Sequence, residues 1–200
     1  MVRFDQILKE CRQYNKFAQK LLYEMYAPKM KGICLRYVGD PETAKDMVQE
    51  GFIKVFSNIR QFDGKGSFEG WIKRIFINTS ISHLRKLNKN TKPVNVDDVD
   101  ESHFLETDIH QSDKHVDLNK ENIELVKSAD LSEEDLLNAL KVIPEHFRTV
   151  FNLYCIENIK HEEIAEILDI DTATSRTRLL RARGLIQKEL YAICREKLNR

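Results

Sequence analysis

Between residues 176 and 183 the chain carries four arginines, Arg176, Arg178, Arg181 and Arg183. A guanidinium group keeps its charge and donates N–H groups in a rigid fork. Such a cluster therefore suits phosphate oxygens or the O6/N7 edge of guanine. The residues upstream decide how it is presented. Ile164, Ala165, Ile167 and Leu168 recur at helical spacing, and Asp169-Ile170 interrupts them. Asp171 then stands where its carboxylate can accept the free N–H groups of a new helical turn. Two helices around a tight break have the layout of a helix-turn-helix, whose second helix enters a DNA major groove. On that second helix Arg176, Thr177, Leu180 and Arg181 project to one side, while Leu179, Ala182 and Ile186 face inward. Arg176, Thr177 and Arg181 are accordingly expected over base edges, with Thr174 near a phosphate at the helix start. Arg178 and Arg183 are expected to contact phosphate or acidic neighbours. The bland alternative is a solvated arginine face.

Two further constellations lie nearer the N-terminus. Asp46, Gln49 and Glu50, at i, i+3 and i+4, share one polar face opposite Met47, Val48 and Phe52. That face is either a docking surface or an ordinary solvated one. From Phe68 to about residue 86, Phe68, Trp71, Ile72, Ile75 and Thr79 form an apolar stripe that reads as core rather than as a base-stacking platform. The other face offers Lys73, Arg74, Asn78, Arg85 and Lys86. Just before it runs the loop Phe62-Asp63-Gly64-Lys65-Gly66-Ser67, whose glycines either admit a close ligand or simply make a turn. His103, His110 and His115 have spacings that fit no compact metal site, and no cysteine is near them. No P-loop, Ser/His/Asp set or deaminase signature is present, so the chain is expected to be neither an enzyme nor a cofactor or metal carrier.

The elements that must position these groups are helical. Charged residues make up 32% of 200 and hydrophobic ones 42%, with only 7 Gly and 4 Pro, which favours helix over sheet. The net charge of zero averages over segments of opposite sign. Residues 92–135 carry 14 acidic and 4 basic side chains, a net of −10. Residues 171–200 carry 8 basic and 3 acidic, and residues 69–90 carry 5 basic and 1 acidic. Two basic modules thus flank an acidic connector. Phe17, Leu21, Leu22, Met25 and Tyr26 fall at helical spacing, and Met30, Ile33, Cys34 and Tyr37 continue it. Gly39-Asp40-Pro41 marks a break. The helix over 42–59 is expected to bury Ala44, Met47, Val48, Phe52, Val55, Phe56 and Ile59. Residues 91–130 read as a polar, poorly periodic linker, with a loose helix conceivable at 119–127. Ser132 is expected to cap a helix through Val142, Pro144 to lie in the first turn of the next, and Asn158 to stop it. The fold class is all-α, with domains at 1–90 and 131–200 joined by the acidic linker. Cys11, Cys34, Cys155 and Cys194 form no CxxC pair and read as reduced core residues. The N-terminus is charged, and no apolar run approaches the roughly 18 residues of a membrane span, so a cytoplasmic chain is expected.

In order along the chain, three blocks resemble the small extracytoplasmic-function sigma factors of bacterial RNA polymerase. The first, Asp40 through Phe56, resembles the family's polymerase-binding helix with its D-x-x-Q-E core, here Asp46, Gln49 and Glu50. The second, Phe68-x-x-Trp71-Ile72-x-x-Ile75-x-x-Asn78 through Lys86, resembles the helix that reads and opens the −10 element. The third, Ile143-Pro144-Glu145 through Arg183, resembles the domain that binds the −35 element. The resemblance implies that Asp46, Gln49 and Glu50 dock on the β′ coiled coil of core RNA polymerase, with the β flap as a further contact. It implies that Asn78 and the loop bearing Phe62, Asp63, Gly64 and Lys65 hold an unstacked −10 base, and that Lys73, Arg74, Arg85 and Lys86 hold phosphates. The −35 set would be Thr174, Arg176, Thr177, Leu180 and Arg181. The linker would thread near the polymerase active-site cleft, or act only as a tether.

Some residues depart from the family's pattern. Asp169 stands where the turn usually has glycine, Ser175 where an inward valine is common, and Ser82 where aspartate is frequent. Lys160 holds a position usually given to a Ser/Thr cap. Weaker packing at Ser175 and an uncapped start after Lys160 are expected. Family members often pair with an anti-sigma protein, which would clamp or wedge between the domains. Competing readings are a free-standing helix-turn-helix regulator and a protein that sequesters polymerase. Against the first, the N-terminal half shows no ligand pocket, phospho-acceptor or dimerising heptads. Against the second, Asn78 and its basic flanks are present.

Overall fold

A computed structural model describes residues 4–90 and 130–198, and every regular element among them is helical. The chain divides into two compact units after Leu87, and each is described by itself. The linker residues 91–129, with His103, His110, His115 and the segment 119–127, lie outside the described residues.

The first unit holds α1 (Phe4–Arg12), α2 (Lys16–Val38), α3 (Pro41–Asn58), a 3-10 turn (Ile59–Gln61) and α4 (Phe68–Asn90). Short polar side chains set the boundaries. Asn15 begins α2 by accepting the N–H groups of Phe17 and Ala18. Gly39, at φ 77°, ends α2 in the left-handed conformation that glycine enters without a Cβ penalty. Asp40 then caps α3 through the N–H of Thr43 at 2.7 Å, with Pro41 in the first turn. Two aromatic hubs fill the core. Phe68 packs edge-on against Phe4 of α1, Tyr26 of α2 and Phe62, with Trp71 tilted beside it. Phe52 gathers Tyr23, Phe56 and Phe76.

The apolar stripe on α4 is displaced from the expected one. Phe68, Ile72 and Thr79 are buried as expected, but Trp71 and Ile75 are only half-buried, and Phe76, Ile77, Ser80, Ile81 and Leu84 complete the buried set. The reason is that α4 is covered on more than one side, so its buried arc is wider than a single stripe. Phe56 is half-buried, whereas Phe17 and Met25 are exposed at 66% and 53%.

The second unit holds α5 (Glu133–Lys141), α6 (Glu145–Phe151), a π turn (Asn152–Ile156), α7 (His161–Leu168) and α8 (Thr172–Leu198). Ser132 opens α5 with a reciprocal capping box to Asp135. Lys197, near the far end of α8, reaches the same Asp135 carboxylate and the carbonyl of Asp130. The Lys197 ammonium, with the Ser132 hydroxyl and N–H, lowers the Asp135 carboxyl to about 2. Pro144 is the residue before α6 rather than inside its first turn. Leu140, Ile143, Phe147 and Ala182 form one buried cluster of the core, flanked by Phe151, Leu185 and Ile186. Arg148 is buried at 7% exposure, and its guanidinium donates to the carbonyls of Leu140 (3.4 Å), which also accepts the Ile143 N–H, and of Lys141 (3.3 Å) at the end of α5. After α6 the bonding widens to five-residue steps, Glu157 N–H to Asn152 C=O. Asn158, at φ 56°, then turns the chain toward α7.

Candidate nucleic-acid interface

α7, its turn and the start of α8 form a helix-turn-helix. Asp169 adopts φ 56°, ψ 51° and bonds its N–H back to Ala165, which gives the tight left-handed stop usually supplied by glycine. The Asp171 carboxylate accepts the N–H and the hydroxyl of Thr174, both at 2.7 Å. These bonds hold the Asp171 carboxyl below the usual carboxylate range. The N-terminus of α8 is thus already served by a side-chain anion, and the half-buried Thr174 is turned toward it. Lys160 supplies no side-chain cap to α7, as expected.

Ser175 is fully buried, yet it is not a packing defect. Its hydroxyl lies 2.9 Å from Nδ1 of His161, so a hydrogen bond fastens the first turn of α7 to α8. Tyr154 from the π turn stacks on the His161 ring with centroids 4.4 Å apart. The Arg183 guanidinium lies 5.8 Å from the Tyr154 ring centroid, and its Nη2 is 3.8 Å from Sγ of Cys155. Partial burial, then the charge of Arg176, lowers the His161 pKa below its ordinary value, and Glu162 opposes this.

Arg176, Thr177 and Leu180 are exposed on one side of α8, Leu180 at 73%, while Leu179 and Ala182 are buried. Arg176 is in an exposed ion pair with Glu162 of α7 at 3.5 Å. Arg181 is half-buried, and its guanidinium lies 5.9 Å from the Phe147 ring centroid. Thr177 donates its hydroxyl to the Ala173 carbonyl. The predicted group therefore shares one face, with Arg176 and Leu180 outermost.

In the first unit, Asp46 and Gln49 are exposed on α3, and Ile53 continues their stripe at 66% exposure. Glu50 is half-buried and differently engaged. Its carboxylate pairs with Lys54 at 2.7 Å, and the Lys54 ammonium also donates to Thr79 of α4 at 3.1 Å. The Glu50 pKa is lowered chiefly by this lysine, with lesser help from Lys86 and His83. Asn78, beside Thr79, is exposed, as are Arg74, Arg85 and Lys86, while Lys73 is half-buried. Asn78 thus stands one residue from Thr79, the point at which Lys54 ties α4 to Glu50.

The loop between the 3-10 turn and α4 is fixed at both ends and open between. Phe62 is 8% exposed, its ring 5.7 Å from Trp71 by centroids as well as against Phe68. It anchors the loop rather than projecting from it. At the other end, the Ser67 hydroxyl accepts the N–H of Gly70 and caps α4. Asp63, Gly64, Lys65 and Gly66 are exposed, and Asp63 accepts the Lys65 N–H at 2.9 Å to form a tight turn. Gly64 and Gly66 take φ 81° and 112°, with no atom near where a Cβ would stand.

Sequence reasoning did not single out Arg12, Arg60, Lys54 or His161. Each acts on a residue far along the chain or in another element, which periodicity does not reveal. Among the described residues no group of three or more His, Cys, Asp or Glu side chains is gathered as for a metal, and no helix is long and apolar enough to cross a membrane. The four cysteines are free, and burial pushes the Cys11 and Cys34 thiols to about 11.

The family model for Sigma-70 region 2 matches residues 22–90, and that for Sigma-70 region 4 matches residues 133–186. The RNA polymerase sigma-H factor of Pseudomonas aeruginosa is 31% identical over 193 residues, which cover 96% of this chain and 96% of that protein. The ECF RNA polymerase sigma-E factor of Haemophilus influenzae is 31% identical over 191 residues, covering 94% and 96%. The ECF RNA polymerase sigma-E factor of Escherichia coli K12 is 29% identical over 192 residues, covering 96% of each.

Proposed function

Because the chain belongs to the extracytoplasmic-function sigma factors of bacterial RNA polymerase, we propose a division of labour among its exposed faces. As a sigma factor it binds core polymerase and promoter DNA and directs promoter-specific initiation. In our reading, Arg176, Thr177, Leu180 and Arg181 meet the −35 major groove, with Thr174 beside a phosphate. Asn78 and the loop Asp63–Gly66, seated on Phe62, hold an unstacked −10 base, and Lys73, Arg74, Arg85 and Lys86 hold phosphates. Asp46, Gln49 and Glu50 dock on the β′ coiled coil. Its work is binding and selection, without covalent chemistry.

The observation that carries this reading is the outer face of α8. It presents two reading-competent side chains, Arg176 and Thr177, beside the exposed Leu180, on a helix whose start is locked by Asp169 and Asp171. A bidentate arginine–guanine pair supplies roughly 1–3 kcal/mol of discrimination. Arg176→Ala holoenzyme should therefore lose initiation mainly at the preferred −35 sequence. A uniform loss across −35 variants would assign Arg176 to phosphate instead. For the polymerase face, Glu50→Lys should abolish capture of core enzyme at unchanged helicity, and undiminished capture would remove Glu50 from that face.

A further inference from the structure

We propose that α1 is a brace for the −10 recognition loop, with Arg12 and Arg60 as positioning residues that set which base the loop accepts. The inference rests on the assignment of the loop Asp63–Gly66 to an unstacked −10 base, and it adds an element to that site. Residues 4–12 lie outside the stretch 22–90 matched by the region 2 family model.

The geometry is a reciprocal clamp between segments about fifty positions apart. The Arg12 guanidinium donates from Nη2 to the backbone carbonyl of Phe62 at 2.7 Å. In return, the Arg60 guanidinium donates from Nε (3.3 Å) and Nη2 (3.2 Å) to the backbone carbonyl of Arg12. That carbonyl belongs to the last turn of α1, where no intrahelical N–H is available to it. Tyr14 then reverses the chain at φ 60°, and its ring lies 5.2 Å from the Arg60 guanidinium carbon. Each arginine thus satisfies a carbonyl in the other's segment. All three bonds are charge-assisted, and the Arg12 bond is partly shielded from water.

The clamp acts on the one backbone group that decides where the loop starts. The Phe62 ring is held in the aromatic cluster, but a ring contact leaves the peptide plane after it free to rotate. The Arg12 bond fixes that plane. Beyond it, Asp63 to Gly66 have only the Asp63–Lys65 turn to shape them before Ser67 caps α4. Two left-handed glycines give this apex little stiffness of its own. Selecting one base over another requires donors and acceptors held to within a fraction of an ångström. A loop this sparse obtains that from its footing, and α1 supplies half of the footing.

The test is initiation from a promoter library randomised across the −10 element, using reconstituted holoenzyme carrying Arg12→Ala, Arg12→Lys or Arg60→Ala. Core capture, −35 preference and the thermal midpoint are measured alongside. Arg12→Ala should lower the preference at the loop-read base by roughly 10- to 150-fold, the worth of one charge-assisted hydrogen bond. The other −10 positions and the −35 profile should keep theirs. Arg12→Lys, which retains a donor, should restore part of the preference, and Arg60→Ala should show the same base-selective loss in weaker form. A brace with only a structural role would lower activity evenly and leave the base profile unchanged, and that result overturns the proposal. If Arg12→Ala fails to fold, Arg60→Ala carries the same test. An Asp63→Ala, Lys65→Ala loop variant separates the two levels of inference. If it shifts the −10 profile and the clamp variants do not, the brace is wrong while the loop assignment survives. If it shifts nothing, the loop assignment fails and the brace falls with it.

Discussion

Replacing Glu162 by Gln should tighten promoter binding, although it removes an ion pair from the fold. Glu162 holds Arg176 at 3.5 Å, with the two side chains 66% and 65% exposed. At that distance and in a water-like dielectric, the Coulomb attraction is about 1 kcal/mol. Exposed pairs deliver roughly 0.2–1 kcal/mol once ordering and salt are counted. Arg176 must give up this partner before its fork can turn to a base edge, so the pair opposes DNA contact by that amount. Glutamine keeps the shape and removes the charge. The −35 affinity of Glu162→Gln holoenzyme should therefore rise by between about 1.4-fold and about fivefold at low salt. The gain should shrink as the Debye length falls from about 10 Å at 0.1 M toward about 3 Å at 1 M. Helix α7 should lose a little stability at the same time, because an acidic residue leaves its first turn. The assay is competition binding of holoenzyme to a promoter fragment at several salt concentrations, beside a denaturation curve. Weaker binding by the variant would refute the reasoning, because it would mean that Glu162 orients Arg176 for the groove. A gain that persisted undiminished in high salt would refute the electrostatic cause.

Three further outcomes are expected. Arg148→Ala should destabilise the second unit by roughly 2–4 kcal/mol, because it strips the buried alkyl stem and removes the guanidinium donor from the Lys141 carbonyl and from the Leu140 carbonyl, which keeps only its backbone donors. Arg148→Met, which keeps the stem, should cost distinctly less in urea denaturation. Gly51→Ala should cost roughly 1–3 kcal/mol by overpacking, since its Cβ would stand 2.3 Å from Cε1 of the fully buried Phe76. A lowered thermal midpoint of the first unit checks this, and Phe76→Leu beside it should recover part of the loss. His161 has a folded pKa below its ordinary 6.5, so its neutral form is the one the fold favours. Its contribution is full above that value and is lost as pH falls below it, where the unfolded chain takes up the proton first. Stability of the second unit should therefore drop more between pH 7.5 and 5.5 in the parent than in His161→Gln, measured by denaturation at both pH values.

The parts of the fold legible in the sequence were those set by neighbouring residues. Gly39-Asp40-Pro41 marks the boundary between α2 and α3 because its three functions, left-handed stop, cap and first-turn proline, are all local. Ser132, Asp169 and Asp171 behave as their side chains dictate for the same reason. The face of α8 was legible because 3.6-residue periodicity places Arg176, Thr177 and Leu180 together whatever surrounds them. What depends on distant partners was hidden. Ser175 looked like a weak point until His161, fourteen residues earlier, was found to complete it. The stripe on α4 was misplaced toward Trp71 and Ile75 because periodicity assumes one covered face, while Phe76 packs from another side against Phe52. The π turn at Asn152–Ile156 has no local signature of its own.

The most direct test of the central claim is transcription in vitro from a pooled promoter library, with bacterial core polymerase alone and with this protein added. Discrete start sites that require the protein, preceded by a shared pair of −35 and −10 sequences, are the predicted result. Core polymerase that binds the protein yet starts nowhere new would contradict promoter selection, and failure to bind core at all would contradict the role assigned to Asp46, Gln49 and Glu50.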